Sequence, residues 1–271
     1  MDNRQNIPDI ELRDVSVSYG NNVLIDGQNL LVEHGQRIAI IGESGQGKTT
    51  AVDIIRGHRR PTSGAVCFLG RPIHYGPRAL SRLWSSMPLV SQEDNSGKTI
   101  PSYLTALENV SLVMRLRGAD RKQARSLAAN MLERVGLGRR MHTKPGKLSG
   151  GERQRVAVAR ALVADSRAVL ADEPTAALDP RTSQEVLQLL TDSGRTLVIV
   201  THEAMLVAPY VDRMLLLQDG VFHDVTNVAK ESPMSLFGLS DYSQLLTKRP
   251  LQQASTREVV SPKINCPPVA V

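Results

Sequence analysis

The chain has 271 residues, 41% of them apolar and 22% charged, so it is long enough for a sizeable core and too apolar for wholesale disorder. A formal net charge of +6 admits an anionic partner without selecting one, and 3% aromatic residues is too few for the stacking platforms of a single-strand binder. Cys67 and Cys266 are its two cysteines, too few for a disulfide scaffold or a four-sulfur zinc site, which favours a reducing compartment.

In chain order, the start MDNRQNIPDIELRD carries charges throughout and does not read as a secretory signal. Ile10 to Tyr19 alternates with a one-residue slip, which predicts a half-buried strand kinked near Arg13 and Asp14. Asn29 to Glu33 is a second strand candidate. The uninterrupted apolar run RIAII at Arg37 to Ile41 predicts a central strand covered on both faces. A Gly-rich turn comes next, then a short helix closed by Gly57. Ala65 to Leu69 is the next strand. Leu107 to Arg139 has a helical pattern, with Leu127, Met131, Leu132 and Val135 predicted on one apolar face. Further on come a helix through Val156 to Val163, a strand at Ala168 to Ala171, a helix at Ser183 to Leu190 and a strand at Leu197 to Val200. Met214 to Leu217 and Val221 to Phe222 flank Asp219-Gly220, a hairpin signal. Strand and helix alternating after residue 37 imply a mostly parallel α/β sheet with helices on both faces. No stretch has the roughly eighteen apolar residues of a membrane span, so the chain is expected to be soluble and to reach a membrane only through a partner or a surface. Residues 228–271 hold five prolines and no sustained apolar periodicity, and are expected to form a poorly ordered appendage.

Gly42 to Thr49 reads GESGQGKT, which fits G-x-x-x-x-G-K-[ST]. Glycines let backbone N–H groups turn inward around phosphates, the helix that begins there adds its positive end, and Lys48 reaches the terminal phosphates. Thr49 can offer its hydroxyl to Mg²⁺. The loop is not a dinucleotide fingerprint, because Gly45-x-Gly47 lacks the third glycine. Asp172 and Glu173 end the apolar run AVLA, so a strand delivers both carboxylates to the sheet edge where open α/β folds bind ligands. Asp172 would hold Mg²⁺ through its water shell, and Glu173 would orient or deprotonate an attacking water; the plainer alternative is a pair of ordinary strand-end acids. LSGGERQR at Leu148 to Arg155 places Ser149, Gly150, Gly151 and Glu152 at a helix start, either a second anion cradle or an ordinary cap. No His/Cys cluster has zinc spacing, and Cys67 and His74 read as structural.

GESGQGKT, LSGGERQR, LADEP, the ALD at Ala177 to Asp179 and VTHE ending at Glu203 occur in the order of an ATP-binding cassette ATPase, which the chain resembles over roughly residues 10 to 225. The resemblance implies a P-loop NTPase of that type: a mostly parallel core, an antiparallel N-terminal β-subdomain and an inserted helical subdomain at about 95–160, all within residues 1–227. It implies that ATP is held by Tyr19, stacked on adenine, and by Gly42, Glu43, Ser44, Gly45, Gln46, Gly47, Lys48, Thr49 and Thr50. Mg²⁺ would be held by Thr49, Gln92 and Asp172. Catalysis would fall to Glu173, His202, Gln92 and Lys48, with Ser149 to Glu152 closing on the ATP of a second copy and Asp179 crossing between the copies.

LTALENV at Leu104 to Val110, RQRVAVARALV and ADEPT look most like the subfamily that pairs with lipoprotein-releasing, macrolide-exporting and cell-division permeases. The implied protein is a transporter ATPase, cytoplasmic and peripheral on the inner face of the plasma membrane through its permease, with no nucleic-acid partner. A non-transporting regulator that works a membrane protein mechanically stays open as an alternative. A DNA-linked relative is disfavoured, since the 101 positions from Lys48 to Ser149 leave no room for a coiled-coil or zinc insertion. The chain departs from its relatives in three places. EDNSGKTIPSY after Gln92 is acidic where they have a compact apolar segment, Asp172 to His202 is about one helical turn short, and Gln46 stands where they commonly have serine. Truncation after about Thr247 is expected to leave hydrolysis intact, which turnover of the shortened chain would check.

Overall fold

The computed structural model describes residues 7–91, 100–176 and 178–231, and these form two sheets wrapped by helices. The first sheet is antiparallel. It contains β1 (Ile10–Tyr19), β2 (Asn22–Val32), β4 (Ser63–Phe68) and β5 (Arg71–Pro72), in the order β2-β1-β4-β5. β1 slips register against β2 between Leu12 and Val15, as its alternation predicts, and Asp14 takes a left-handed φ of 48° there. The kink needs a bare neighbour. A Cβ on Gly64 would lie 2.2 Å from the Asp14 carbonyl oxygen.

The second sheet contains β3 (Arg37–Ile41), β6 (Leu89–Ser91), β7 (Ala168–Asp172), β8 (Thr196–Thr201), β9 (Arg213–Gln218) and β10 (Val221–Asp224), in the order β10-β9-β3-β8-β7-β6. All its pairings are parallel except the β9–β10 hairpin, whose turn residues Asp219 and Gly220 both have positive φ. The central strands read as unbroken apolar runs because consecutive residues enter two different cores. Ala39, Ile41, Val169, Ala171, Ile199 and Leu216 face one core, while Ile38, Ile40, Leu170, Val198, Val200 and Leu215 face the other.

Helices fill the connections. α1 (Lys48–Ile55) packs in the core shared with the antiparallel sheet. α2 (Pro77–Ser86) leads into β6, and neither was expected from the sequence, since α2 is polar and buries only Leu83. The helical pattern from Leu107 to Arg139 resolves into α3 (Ala106–Leu116) and α4 (Arg121–Arg134), parted at Gly118 with φ 93°. α3 begins with a capping box of Thr105 and Glu108, and Asp120 caps α4. The predicted apolar face of α4 needs one correction. Leu127 lies outside, 36% exposed, because the turns above it are filled by the small buried residues Ala124 and Ala128. α5 (Gly150–Leu162), α6 (Pro180–Thr191) and the short α7 (Ala204–Val207) complete the face. α8 (Thr226–Glu231) runs past the expected boundary at residue 227, with Ala229 buried and Val228 packed on the core. The remainder of the expected appendage, 232–271, lies outside the described residues.

Asp9 ties the two sheets together. Its carboxylate, 0% exposed, accepts from Arg167 Nε at 2.8 Å and from the Thr196 hydroxyl, and lies 3.0 Å from His34 Nδ1. Removing a buried carboxylate leaves these partners to half-solvated alternatives. Asp9→Ala should therefore lower stability by about 2–3 kcal/mol, read as a drop in the urea midpoint at unchanged slope.

Candidate functional site

The parallel order places the carboxyl ends of β3, β8 and β7 side by side, with Ile41 opposite Thr201 and Asp172 opposite Val200. The segments that leave these three strands therefore meet at one edge. After β3 comes the loop 42–47, then Lys48, Thr49 and Thr50 in the first turn of α1. The loop passes close to β9, where a Cβ on Gly42 would sit 2.6 Å from the Leu217 carbonyl oxygen. Gly47, at φ 96°, turns the chain into α1. Gln46, which stands where relatives commonly have serine, accepts from the Asp219 N–H in the β9–β10 turn through its Oε1 at 3.4 Å.

Lys48 is buried, and its ammonium donates to the carbonyls of Gly42 at 2.9 Å and Glu43 at 2.8 Å. Burial lowers its pKa, opposed by the negative charge of Glu173, Asp172 and Glu43. Asp172 shows the converse. Burial raises its pKa, while a hydrogen bond from Thr49 and the charge of Lys48 pull it down. Asp172 Oδ1 is buried without a hydrogen-bond partner among the described residues. A hydroxyl beside a carboxylate that keeps one buried oxygen unpartnered suits a hard divalent cation such as Mg²⁺. No group of three or more His, Cys, Asp or Glu side chains among the described residues is arranged so that it could hold a metal ion by itself. The remaining ligands would then come from water and a phosphate, as Mg²⁺ prefers.

Glu173 sits one residue beyond β7 in the left-handed region, φ 48°, where a non-glycine residue is held only if its surroundings fix it. They do so from three sides. Its N–H donates to the Val200 carbonyl at 2.8 Å, its Oε2 accepts from the Thr201 hydroxyl at 3.0 Å, and its Oε1 lies 2.9 Å from His202 Nδ1. Thr201 in turn accepts from the Glu203 N–H at 3.0 Å, and Glu203 accepts from Thr175 at 2.7 Å. Thr175, Thr201 and Glu203 are supporting residues that a motif-by-motif reading passes over, although each lies inside ADEPT or VTHE.

The other candidates lie elsewhere. Ser149 and Glu152 form a capping box at the start of α5, with Glu152 N–H on Ser149 Oγ at 3.1 Å and Ser149 N–H on Glu152 Oε2 at 2.8 Å. Glu152 also pairs with Arg140. A Cβ on Gly151 would lie 2.7 Å from Thr182 Cγ2, so the bare glycine lets α5 approach α6. Asp179 is exposed and caps α6, accepting from the Thr182 N–H and hydroxyl. Those bonds hold its pKa low. Tyr19 ends β1, 43% exposed, with the Arg59 guanidinium 3.9 Å from its ring centroid. Gln92 and Ala177 lie outside the described residues, but Gln154 of α5 reaches the Ser91 carbonyl, one position before Gln92, at 3.3 Å.

A phosphate loop with a buried lysine, facing adjacent strand-end carboxylates across a parallel sheet, defines a P-loop nucleotide-binding protein. Within that class the chain belongs to the ABC transporter family, whose model matches residues 25–176. Among curated relatives, it is 42% identical to the lipoprotein-releasing system ATP-binding protein LolD of Geobacter metallireducens, over 78% of this chain and 96% of that one. It is 38% identical to the macrolide export ATP-binding/permease protein MacB of Hyphomonas neptunium, over 83% of this chain, and there it spans only 36% of the relative's length. Among solved structures, cbiO1 from Clostridium perfringens, part of the ABC transporter complex cbiONQ, superposes with a TM-score of 0.74 at 25% identity, covering 85% of this chain and 98% of that one. The dimeric cassette MJ0796, in a post-hydrolysis state with ADP and Pi, matches at a TM-score of 0.70 and 33% identity, covering 80% and 98%. The architecture is that of an ABC ATPase cassette, and no helix among the described residues is long and apolar enough to cross a membrane.

Proposed function

We propose that the chain is the ATP-hydrolysing subunit of an ABC transporter, pairing with a second copy around two Mg-ATP to drive a separate membrane permease of exporter or lipoprotein-release type. The observation that carries this reading is the Glu173 carboxylate, fixed by Thr201 and His202 at the same sheet edge as Lys48 and Asp172. In that arrangement Gly42 to Thr50 wrap the phosphates and Lys48 moves its ammonium from two backbone carbonyls to the terminal phosphates. Thr49, Asp172 and Gln92 would hold Mg²⁺, which would neutralise phosphate charge when bound. Glu173 takes the proton of the attacking water, and His202 holds Glu173 in place and faces the γ-phosphate. Ser149 to Glu152, with Ser149 and Gly150 exposed, offer their helix start to the partner's ATP, and Asp179 crosses beside them.

The family's dimeric cassettes and the 42% identity with LolD support the pairing and the permease class. The chain would then sit on the inner face of the plasma membrane through that permease. Sedimentation with and without Mg-ATP, and copurification with the membrane protein encoded beside it, test both. A chain that hydrolyses ATP yet stays monomeric and captures no permease would overturn them. Ser149→Arg should abolish ATP-dependent pairing while leaving monomer nucleotide affinity unchanged, by sedimentation and calorimetry respectively. Tyr19→Ala should raise KM for ATP about tenfold with a smaller change in kcat, since stacking of one base is worth about 1–3 kcal/mol.

A further inference from the structure

Three arginines follow α1 within five residues, and each lies over an aromatic ring. Arg56 is 5.7 Å from the Trp84 centroid, Arg60 is 4.7 Å from Tyr75, and Arg59 is 3.9 Å from Tyr19. The third contact is the closest, and its ring stands at a strand end, 43% exposed. Its placement is fixed from both sides. The Arg59 N–H donates to the Asp53 carbonyl at 3.2 Å, which holds the turn leaving α1. Thr62 then stitches that loop to the strand that bears Tyr19: its N–H donates to the Ser16 carbonyl at 2.7 Å, and its hydroxyl accepts from the Ser18 N–H at 3.1 Å. Arg59 makes no ion pair among the described residues. Its charge is committed to the ring.

We infer that Arg59 is a positioning residue for nucleotide binding: its guanidinium clamps one face of Tyr19 and presents the opposite face to the adenine. This rests on the reading of Tyr19 as the adenine platform. A ring already held at its stacking angle loses less freedom when a base settles on it, so the clamp adds affinity without touching the ligand. Arginine suits the task because its planar group lies flat on an aromatic face, which a lysine ammonium does not do.

The test is calorimetric affinity for Mg-ATP and for Mg-tripolyphosphate, which has no base, in the wild-type chain, Arg59→Ala, Arg59→Lys, Arg60→Ala, Tyr19→Ala and the Tyr19→Ala/Arg59→Ala double variant. Arg59→Ala should weaken ATP binding roughly two- to fivefold and leave tripolyphosphate unchanged. Arg59→Lys should recover only part of the loss, Arg60→Ala should match wild type, and the double variant should bind ATP no more weakly than Tyr19→Ala alone. An equal loss for tripolyphosphate would overturn the inference by making Arg59 a general anion attractor. Tighter ATP binding in Arg59→Ala would overturn it by showing that the guanidinium occupies the face the base needs. If Tyr19→Ala itself binds ATP like wild type, the adenine-platform reading fails and the inference falls with it. If Tyr19→Ala is weakened but Arg59→Ala is not, only the clamp fails.

Discussion

The Glu173→Gln variant is expected to bind Mg-ATP with wild-type affinity, to hydrolyse it about 10²- to 10⁴-fold more slowly and to accumulate as an ATP-dependent dimer. Glutamine keeps the volume and can keep the local bonds. Thr201 and His202 hold the two carboxylate oxygens of Glu173, and both can exchange donor and acceptor roles, by hydroxyl rotation and by tautomer, to meet an amide. What the amide cannot do is accept the proton of water. If closure around ATP is reversed by hydrolysis, slow turnover traps the closed pair. Size exclusion with and without Mg-ATP, alongside the turnover rate, measures both halves of the prediction. Hydrolysis at the wild-type rate would remove Glu173 from the role of base, because nothing else in the variant replaces its carboxylate.

Lys48→Ala should lower ATP affinity by about two orders of magnitude, with the fold kept. Lys48 is 7% exposed, and burial lowers its pKa, so an anion bound beside it would offset the cost of holding its charge away from water. The bonds that hold it go to the neutral carbonyls of Gly42 and Glu43. Charge-assisted bonds to a phosphate are stronger than these, each worth about 1.5–3 kcal/mol. Alanine loses that exchange entirely. Calorimetry reads the affinity and circular dichroism the fold. Retained affinity with an intact spectrum would mean that the loop's backbone amides suffice without the side chain.

The strands of the parallel core were legible because they are buried on both faces, so RIAII and AVLA read as unbroken apolar runs, the first coinciding with β3 and the second stopping one residue short of the end of β7. The kink at Asp14 was legible for a related reason, since a bulge shifts the alternation by one. α2 was missed although Leu80, Leu83, Trp84 and Met87 recur at helical spacing, because the helix is polar on balance and fully buries only Leu83, and β6 because three residues carry no pattern. Leu127 misled because an apolar residue at helical spacing was credited with burial, whereas the neighbouring alanines do the packing. In the site, the phosphate loop and the paired acids could be derived from residue type and spacing alone. The meeting of His202 with Glu173 could not, since it depends on β8 lying next to β7. Nor could the Arg59 stack, because it depends on how the turn after α1 folds back on β1.

The position of β3 has a consequence for synthesis on the ribosome. β3 and the phosphate loop emerge early, yet the partners that flank β3 are β8 and β9, made only at residues 196–201 and 213–218. Until then the nascent chain carries an apolar strand with both edges unpaired, the kind of segment that associates with other chains. A frameshift or stop before about Thr196 therefore leaves an aggregation-prone fragment in which β3 has neither of its neighbours, rather than a shortened nucleotide-binding domain. Pairing across so long a stretch is also slow to form. The nucleotide site is thus among the last parts of the molecule to exist, and shielding by a chaperone matters most while residues 42–195 are out and their partners are not.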